Sequence, residues 1–118
     1  MGLHIGMVTI DCADPRRLAE FWSAALNAPT VLDVGEFVML GPAGDGEPAV
    51  GLQRVPEERA GKNRIHVDLR AEDGQAEIVR LVGLGATTLG EHSVPGQAWT
   101  VLADPEGNQF CVGTGTGD

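Results

Sequence analysis

Apolar and polar residues alternate from Ile5 to Asp11, with Val8 and Ile10 on one side and Met7, Thr9 and Asp11 on the other, the pattern of a strand with one buried face. The period then changes. Leu18, Phe21, Trp22, Ala25 and Leu26 recur at helical spacing, Asp14 stands at the N-cap, and Pro15 takes the first helical position, where its missing N–H costs little. Short strands are predicted at 30–34, 37–40 and 49–54, separated by Gly35 and by the Gly/Pro-rich segment 41–48. The polar stretch 56–63 reads as a linker. A second strand–helix pattern follows. Residues 64–70 alternate, with Val67 and Leu69 on one face and His66, Asp68 and Arg70 on the other. Asp73 caps a helix that turns Ile78, Leu81 and Val82 inward and closes at Gly83 and Gly85. Strands are predicted at 87–92, 99–103 and 109–113, and 115–118 reads as a frayed tail. Asp104-Pro105-Glu106-Gly107-Asn108 is a turn before the last strand, with Asp at i, Pro at i+1 and Gly at i+3.

The two patterns form a weak internal repeat. Met7-Val8-Thr9-Ile10-Asp11-Cys12-Ala13-Asp14 reads onto His66-Val67-Asp68-Leu69-Arg70-Ala71-Glu72-Asp73 at an offset of 59 residues. Each copy is a strand that ends at an Asp opening an amphipathic helix, and three strands follow. One domain over 1–118 is expected, built from a module at about 1–58 and another at about 62–114. Two helices are too few for parallel βαβ architecture, so the fold class is α+β: mostly antiparallel, curled sheet segments with the two helices outside.

Composition narrows the function classes. At 118 residues with 42% hydrophobic content the chain can bury a core. It has no apolar run long enough to span a bilayer, and its N-terminus lacks the features of a signal peptide, so a cytoplasmic location is expected. A net charge of −9 with a single lysine, Lys62, speaks against nucleic acid and membrane partners. The same charge suits a cationic ligand or serves solubility alone. Cys12 and Cys111 fall on oppositely facing strand positions, which speaks against a disulfide.

Taken together, Val8–Asp14 with Ala19-Glu20-Phe21-Trp22, His66-Val67-Asp68-Leu69, Leu84-Gly85-Ala86 and Asp104-Pro105-Glu106-Gly107-Asn108 resemble the vicinal oxygen chelate superfamily. That group includes glyoxalase I, bleomycin-resistance proteins, fosfomycin-resistance enzymes and extradiol dioxygenases. The chain is most similar to small glyoxalase-like proteins in which this turn precedes a Phe-Cys pair. The resemblance implies paired βαβββ modules curled into a cup, and a homodimer. In the enzymes it implies a divalent metal held by the first and last strands of each module. Carried onto this chain, the second-module histidine is His66 and the first-module histidine falls on Met7. The two carboxylates fall on Cys111 and near Gln53, or on Gly51 if the register differs by two. Met and neutral Gln are poor donors for Mn²⁺, Ni²⁺ or Mg²⁺, and His66 with Cys111 holds Zn²⁺ only with further ligands. No metal is therefore expected; His66 is the ligand if a divalent metal does bind.

Two functions of different classes follow. One is a metal-independent binder of a small organic molecule, similar to the bleomycin-resistance branch. The other is a glyoxalase-like lyase or isomerase, either metal-dependent or using His66 as acid/base with Asp68. His66 and Asp68 are the candidate catalytic residues, and Asp68 or Asp11 is placed to orient the imidazole. Met7, Thr9, Asp11, Gln53, Arg70, Trp99 and Cys111 are the candidate ligand-binding residues. Alternatives stand beside three of them. Asp11 pairs with Arg70 instead; Trp99 packs at a sheet edge or an interface rather than on a planar ligand; Cys111 is a small buried hydrophobe. His4 and His92 read as solvated.

Overall fold

Asp14 and Asp73 open the two helices in the same way. The Asp14 carboxylate accepts the backbone N–H of Arg17 at 3.2 Å, and the Asp73 carboxylate accepts that of Ala76 at 3.0 Å. Each cap stabilises its helix by about 1 kcal/mol. The computed structural model describes residues 2–58, 60–61 and 63–115. It divides into two compact units, residues 1–58 and 59–118.

The first unit runs β1 (Met7–Cys12), α1 (Pro15–Leu26), β2 (Thr30–Asp33), β3 (Phe37–Leu40) and β4 (Ala49–Arg54). The second runs β5 (Val67–Leu69), α2 (Gly74–Leu84), β6 (Thr87–Val94), β7 (Gln97–Ala103) and β8 (Gln109–Gly115). Each unit is thus βαβββ, and the fold is α+β. The strand orders, β1-β4-β3-β2 and β5-β8-β7-β6, are the same arrangement twice. In each sheet the first strand pairs in parallel with the last, and the other pairs are antiparallel.

In the first unit α1 lies on β3 and β4 and buries Leu18, Phe21 and Trp22 on the side of Val38, Leu40 and Leu52. Each such side chain contributes roughly 1.5–3 kcal/mol of burial. Phe21 and Trp22 meet edge to face, with ring centroids 5.2 Å apart. In the second unit Ile78 and Leu81 of α2 are buried, as are Leu102, Phe110 and Val112 of the sheet. Gly74 starts α2 directly against β8. A Cβ there would lie 3.0 Å from both the Gly113 carbonyl carbon and the Thr114 Cα, so no larger residue fits.

Four sequence expectations change. β5 has three residues instead of the seven of 64–70: its ladder to β8 covers Val67–Leu69 opposite Phe110–Val112, and ahead of it Asn63 Nδ2 donates to the Gln109 carbonyl at 3.1 Å. His66 therefore stands one residue before the strand. Val82 is 46% exposed rather than inward. The buried stripe of α2 runs through Gly74, Ile78 and Leu81, and Val82, about 100° further round, falls outside it. β6 and β7 are longer than expected, because the two-residue turn Pro95-Gly96 carries the hairpin ladder out to Val94 and Gln97. Gly96, at φ 89°, supplies the left-handed position that such a turn demands. In the expected tail, Gly115 closes β8, and 116–118 lie outside the described residues. Neither Cys12 nor Cys111 is in a disulfide. No described helix is long and apolar enough to cross a membrane.

Candidate functional site

Strand parity sorts the second sheet into two faces. Val67, Leu69, Phe110 and Val112 point to the α2 side, and Phe110 and Val112 are buried. His66, Asp68, Arg70, Cys111 and Trp99 point the other way and line a cavity of about 960 Å³. That volume is in the range of small-molecule sites. The cavity thus collects five of the candidate residues named from the sequence.

The parallel β5–β8 ladder does the positioning. It sets Asp68 directly opposite Cys111. His66, two residues before Asp68, rises on the same face. The imidazole Nδ1 lies 3.3 Å from the Asp68 carboxylate and 4.0 Å from Cys111 Sγ. Half of the His66 side chain and more of Asp68 are exposed, whereas Cys111 is buried. Burial pushes the Cys111 thiol above its ordinary pKa, and the Asp68 carboxylate, which accepts its S–H and repels a thiolate, pushes it further. In the metal-free protein Cys111 is thus held as a thiol at neutral pH and is a weak nucleophile. The donor atoms of His66, Asp68 and Cys111 all lie within 4.8 Å of one another, close enough to hold a metal ion.

The far wall is aromatic. Trp99 on β7 stacks on His92 of β6, with centroids 5.8 Å apart and planes 22° from parallel. His92 is therefore a wall residue with a partner. The signal was in the sequence: counting outward from Pro95-Gly96 puts His92 opposite Trp99, which is the observed pair. Leu89 also lines the cavity. It sits at a register irregularity between Thr88 and Gly90, which nothing local in the sequence marks.

The remaining candidates lie in the first unit. Met7, Thr9 and Asp11 are exposed along one face of β1, alternating with Val8, Ile10 and Cys12. Gln53 Nε2 donates to the Glu36 and Arg54 carbonyls, at 3.3 and 3.2 Å. The ladder answers the register question between Gln53 and Gly51. Thr9 lies opposite Gly51, as Asp68 lies opposite Cys111, so Gly51 is the counterpart of Cys111. A Cβ on Gly51 would meet the Phe37 ring at 2.8 Å and Met7 Sδ at 3.1 Å, so the place is filled by apolar groups. The described residues hold one group of three potential metal donors, and it is in the second unit.

A family model described as a glyoxalase-like domain matches residues 7–113. Among solved structures the chain is similar to the fosfomycin resistance protein FosX from Mesorhizobium loti, with TM-score 0.72 and 20% identity over 98% of this chain and 92% of that one. It is similar to a lactoylglutathione lyase from Agrobacterium tumefaciens, with TM-score 0.70 and 22% identity over 97% and 95%. A member of the glyoxalase/bleomycin resistance protein/dioxygenase superfamily from Sphaerobacter thermophilus gives TM-score 0.74 and 22% identity over 96% and 98%. The comparison with curated proteins finds no significant match.

Proposed function

Because the chain belongs to the glyoxalase-like domain family, within the vicinal oxygen chelate superfamily, we propose that it binds a small organic molecule in the cavity of its second unit. The observation that carries this reading is the composition of that cavity. A stacked Trp99–His92 wall suits a planar group, and Arg70 and Asp68 offer charges of both signs to a polar one. The binding dispenses with the hard-ion centre that the resemblance implies. Met7 and Gly51 stand where that centre needs imidazole and carboxylate, and neither supplies a donor for Mn²⁺, Ni²⁺ or Mg²⁺. Sequestration requires complementarity and no chemistry. A panel of planar polar compounds, read by melting temperature, tests the reading. Hits that raise the melting point of the wild type lose their effect in Trp99→Ala and Arg70→Ala. A panel without hits, or hits indifferent to both substitutions, refutes it.

The His66–Asp68 contact favours a second reading, a glyoxalase-like lyase or isomerase. Asp68 orients the imidazole through Nδ1 and leaves Nε2 to take or give a proton. His66→Ala then abolishes turnover of an accepted substrate while the melting temperature stays within a few degrees. Unchanged turnover excludes the reading. In either case residues 1–118 act as one domain of two modules, in the cytoplasm and as a homodimer, which light scattering on the purified protein checks.

A further inference from the structure

We propose that His66, Asp68 and Cys111 form a zinc-class metal site contained wholly in the second unit. The inference goes beyond the ligand-binding reading and stands without it. It also departs from the superfamily pattern, in which each module gives a ligand from its first and last strands. Here the first-unit positions carry Met7 and Gly51, and Asp68 supplies a third donor from the second unit itself.

Two of the three donor separations are close to what a tetrahedral centre needs, and all three lie within 4.8 Å. With zinc bond lengths to nitrogen, oxygen and sulfur, tetrahedral angles separate a nitrogen and an oxygen donor by about 3.4 Å and a nitrogen and a sulfur donor by about 3.6 Å. His66 Nδ1 is 3.3 Å from Asp68 Oδ1 and 4.0 Å from Cys111 Sγ. The same ring nitrogen faces both partners, and closing the second distance takes a few tenths of an ångström. The backbone need not move, since the ladder already sets Asp68 opposite Cys111 and the exposed His66 and Asp68 side chains are free to rotate.

Donor chemistry selects the ion. One thiolate, one imidazole and one carboxylate favour Zn²⁺ over Mg²⁺ or Mn²⁺, and Co²⁺ is the matching spectroscopic probe. Three protein ligands leave a fourth position, and all three residues line the cavity, so that position faces it. This is the pattern of zinc sites that exchange a ligand, rather than of closed structural ones. A net charge of −9 raises the local concentration of cations.

The test is metal titration of untagged protein, with Zn²⁺ measured against a chromophoric chelator and Co²⁺ followed by absorbance. The expected result is one ion per chain, a sulfur-to-cobalt charge-transfer band, and intense tetrahedral visible bands. Cys111→Ser and Cys111→Ala lose the charge-transfer band, and Cys12→Ser keeps it. Asp68→Asn and His66→Ala each weaken Zn²⁺ at least about tenfold. These two substitutions are at exposed positions, so the proposal stays falsifiable if a Cys111 variant does not fold. No binding by the wild type, a charge-transfer band that survives loss of Cys111, affinity unchanged in Asp68→Asn and His66→Ala, or preference for Mn²⁺ over Zn²⁺ would each overturn the proposal. Compounds are screened separately on metal-free protein, so failure of the metal site and failure of the ligand reading are distinct results.

Discussion

Removing the Asp104 carboxylate should cost the second unit about 2–3 kcal/mol. Asp104 is only 3% exposed, at the head of the loop before β8. Its Oδ1 accepts the backbone N–H groups of Glu106 and Asn108, at 2.9 and 3.0 Å, and its Oδ2 accepts the Asn108 side-chain amide at 3.0 Å. Two backbone bonds, Asp104 N–H to the Asn108 carbonyl and Gly107 N–H to the Asp104 carbonyl, close the same loop. Hydrogen bonds to an ionised group contribute about 1.5–3 kcal/mol each. Asp104→Ala removes all of these, but Glu106 and Asn108 are half-exposed and water recovers part of the loss, which brings the sum down to the stated figure. Asp104→Asn keeps an acceptor for the two backbone bonds while losing the charge, and should cost about 1–2 kcal/mol. Urea denaturation followed by circular dichroism measures both, and in a chain of this size the Ala variant should melt lower by about 6–15 °C. Since β8 begins one residue beyond the loop, amide exchange along β8, Cys111 included, should accelerate in the same order. Asp104→Ala within about 0.5 kcal/mol of wild type, or Asn as damaging as Ala, would refute the reasoning.

Gly74→Ala, normally favourable inside a helix, should destabilise by about 1–3 kcal/mol, because the new methyl meets the Gly113 and Thr114 backbone; equilibrium denaturation reads the sign directly. Leu102→Ala, at a fully buried position, should cost about 2–5 kcal/mol in the same assay. The Gly35 N–H, first, and the Arg16 guanidinium, second, hold the Asp33 carboxyl below its ordinary pKa. The folded-state value is depressed, so the small stabilisation is present above the ordinary aspartate range and disappears as pH falls through the lowered value. Titration of Asp33 by NMR should place its midpoint below that of an unstructured aspartate, and Arg16→Ala should move it part of the way back.

The parts of the fold that local chemistry decides were legible in the sequence. Asp14 and Asp73 cap the helices as expected, and β3 and β4 occupy 37–40 and 49–54, where alternation and flanking turn residues place them. β5 is shorter than its pattern, since the alternation of 64–70 describes the chain while the ladder to β8 covers only Val67–Leu69 opposite Phe110–Val112. Val82 lies outside the buried stripe because helical spacing gives a stripe but not its width. At the candidate site, His66 and Asp68 share a face by parity alone. The approach of Cys111 to both depends on parallel pairing between strands more than forty residues apart, and no local pattern encodes that. The same long-range pairing, β1 with β4, was needed to choose between Gly51 and Gln53. His92 is the opposite case, since the two-residue turn Pro95-Gly96 determines its cross-strand partner, Trp99.

The claim that the cavity of the second unit is the working site is tested most directly by an NMR titration. The chain has two tryptophans: Trp22 in the core of the first unit and Trp99 in the cavity wall. In ¹⁵N-labelled protein their indole N–H groups give two separate signals. A compound that raises the melting temperature should shift the Trp99 indole signal and the Arg70 and Cys111 amides in proportion to saturation, and leave the Trp22 signal in place. Saturable binding that leaves Trp99, Arg70 and Cys111 unmoved while perturbing the Met7–Asp11 strand would contradict the account.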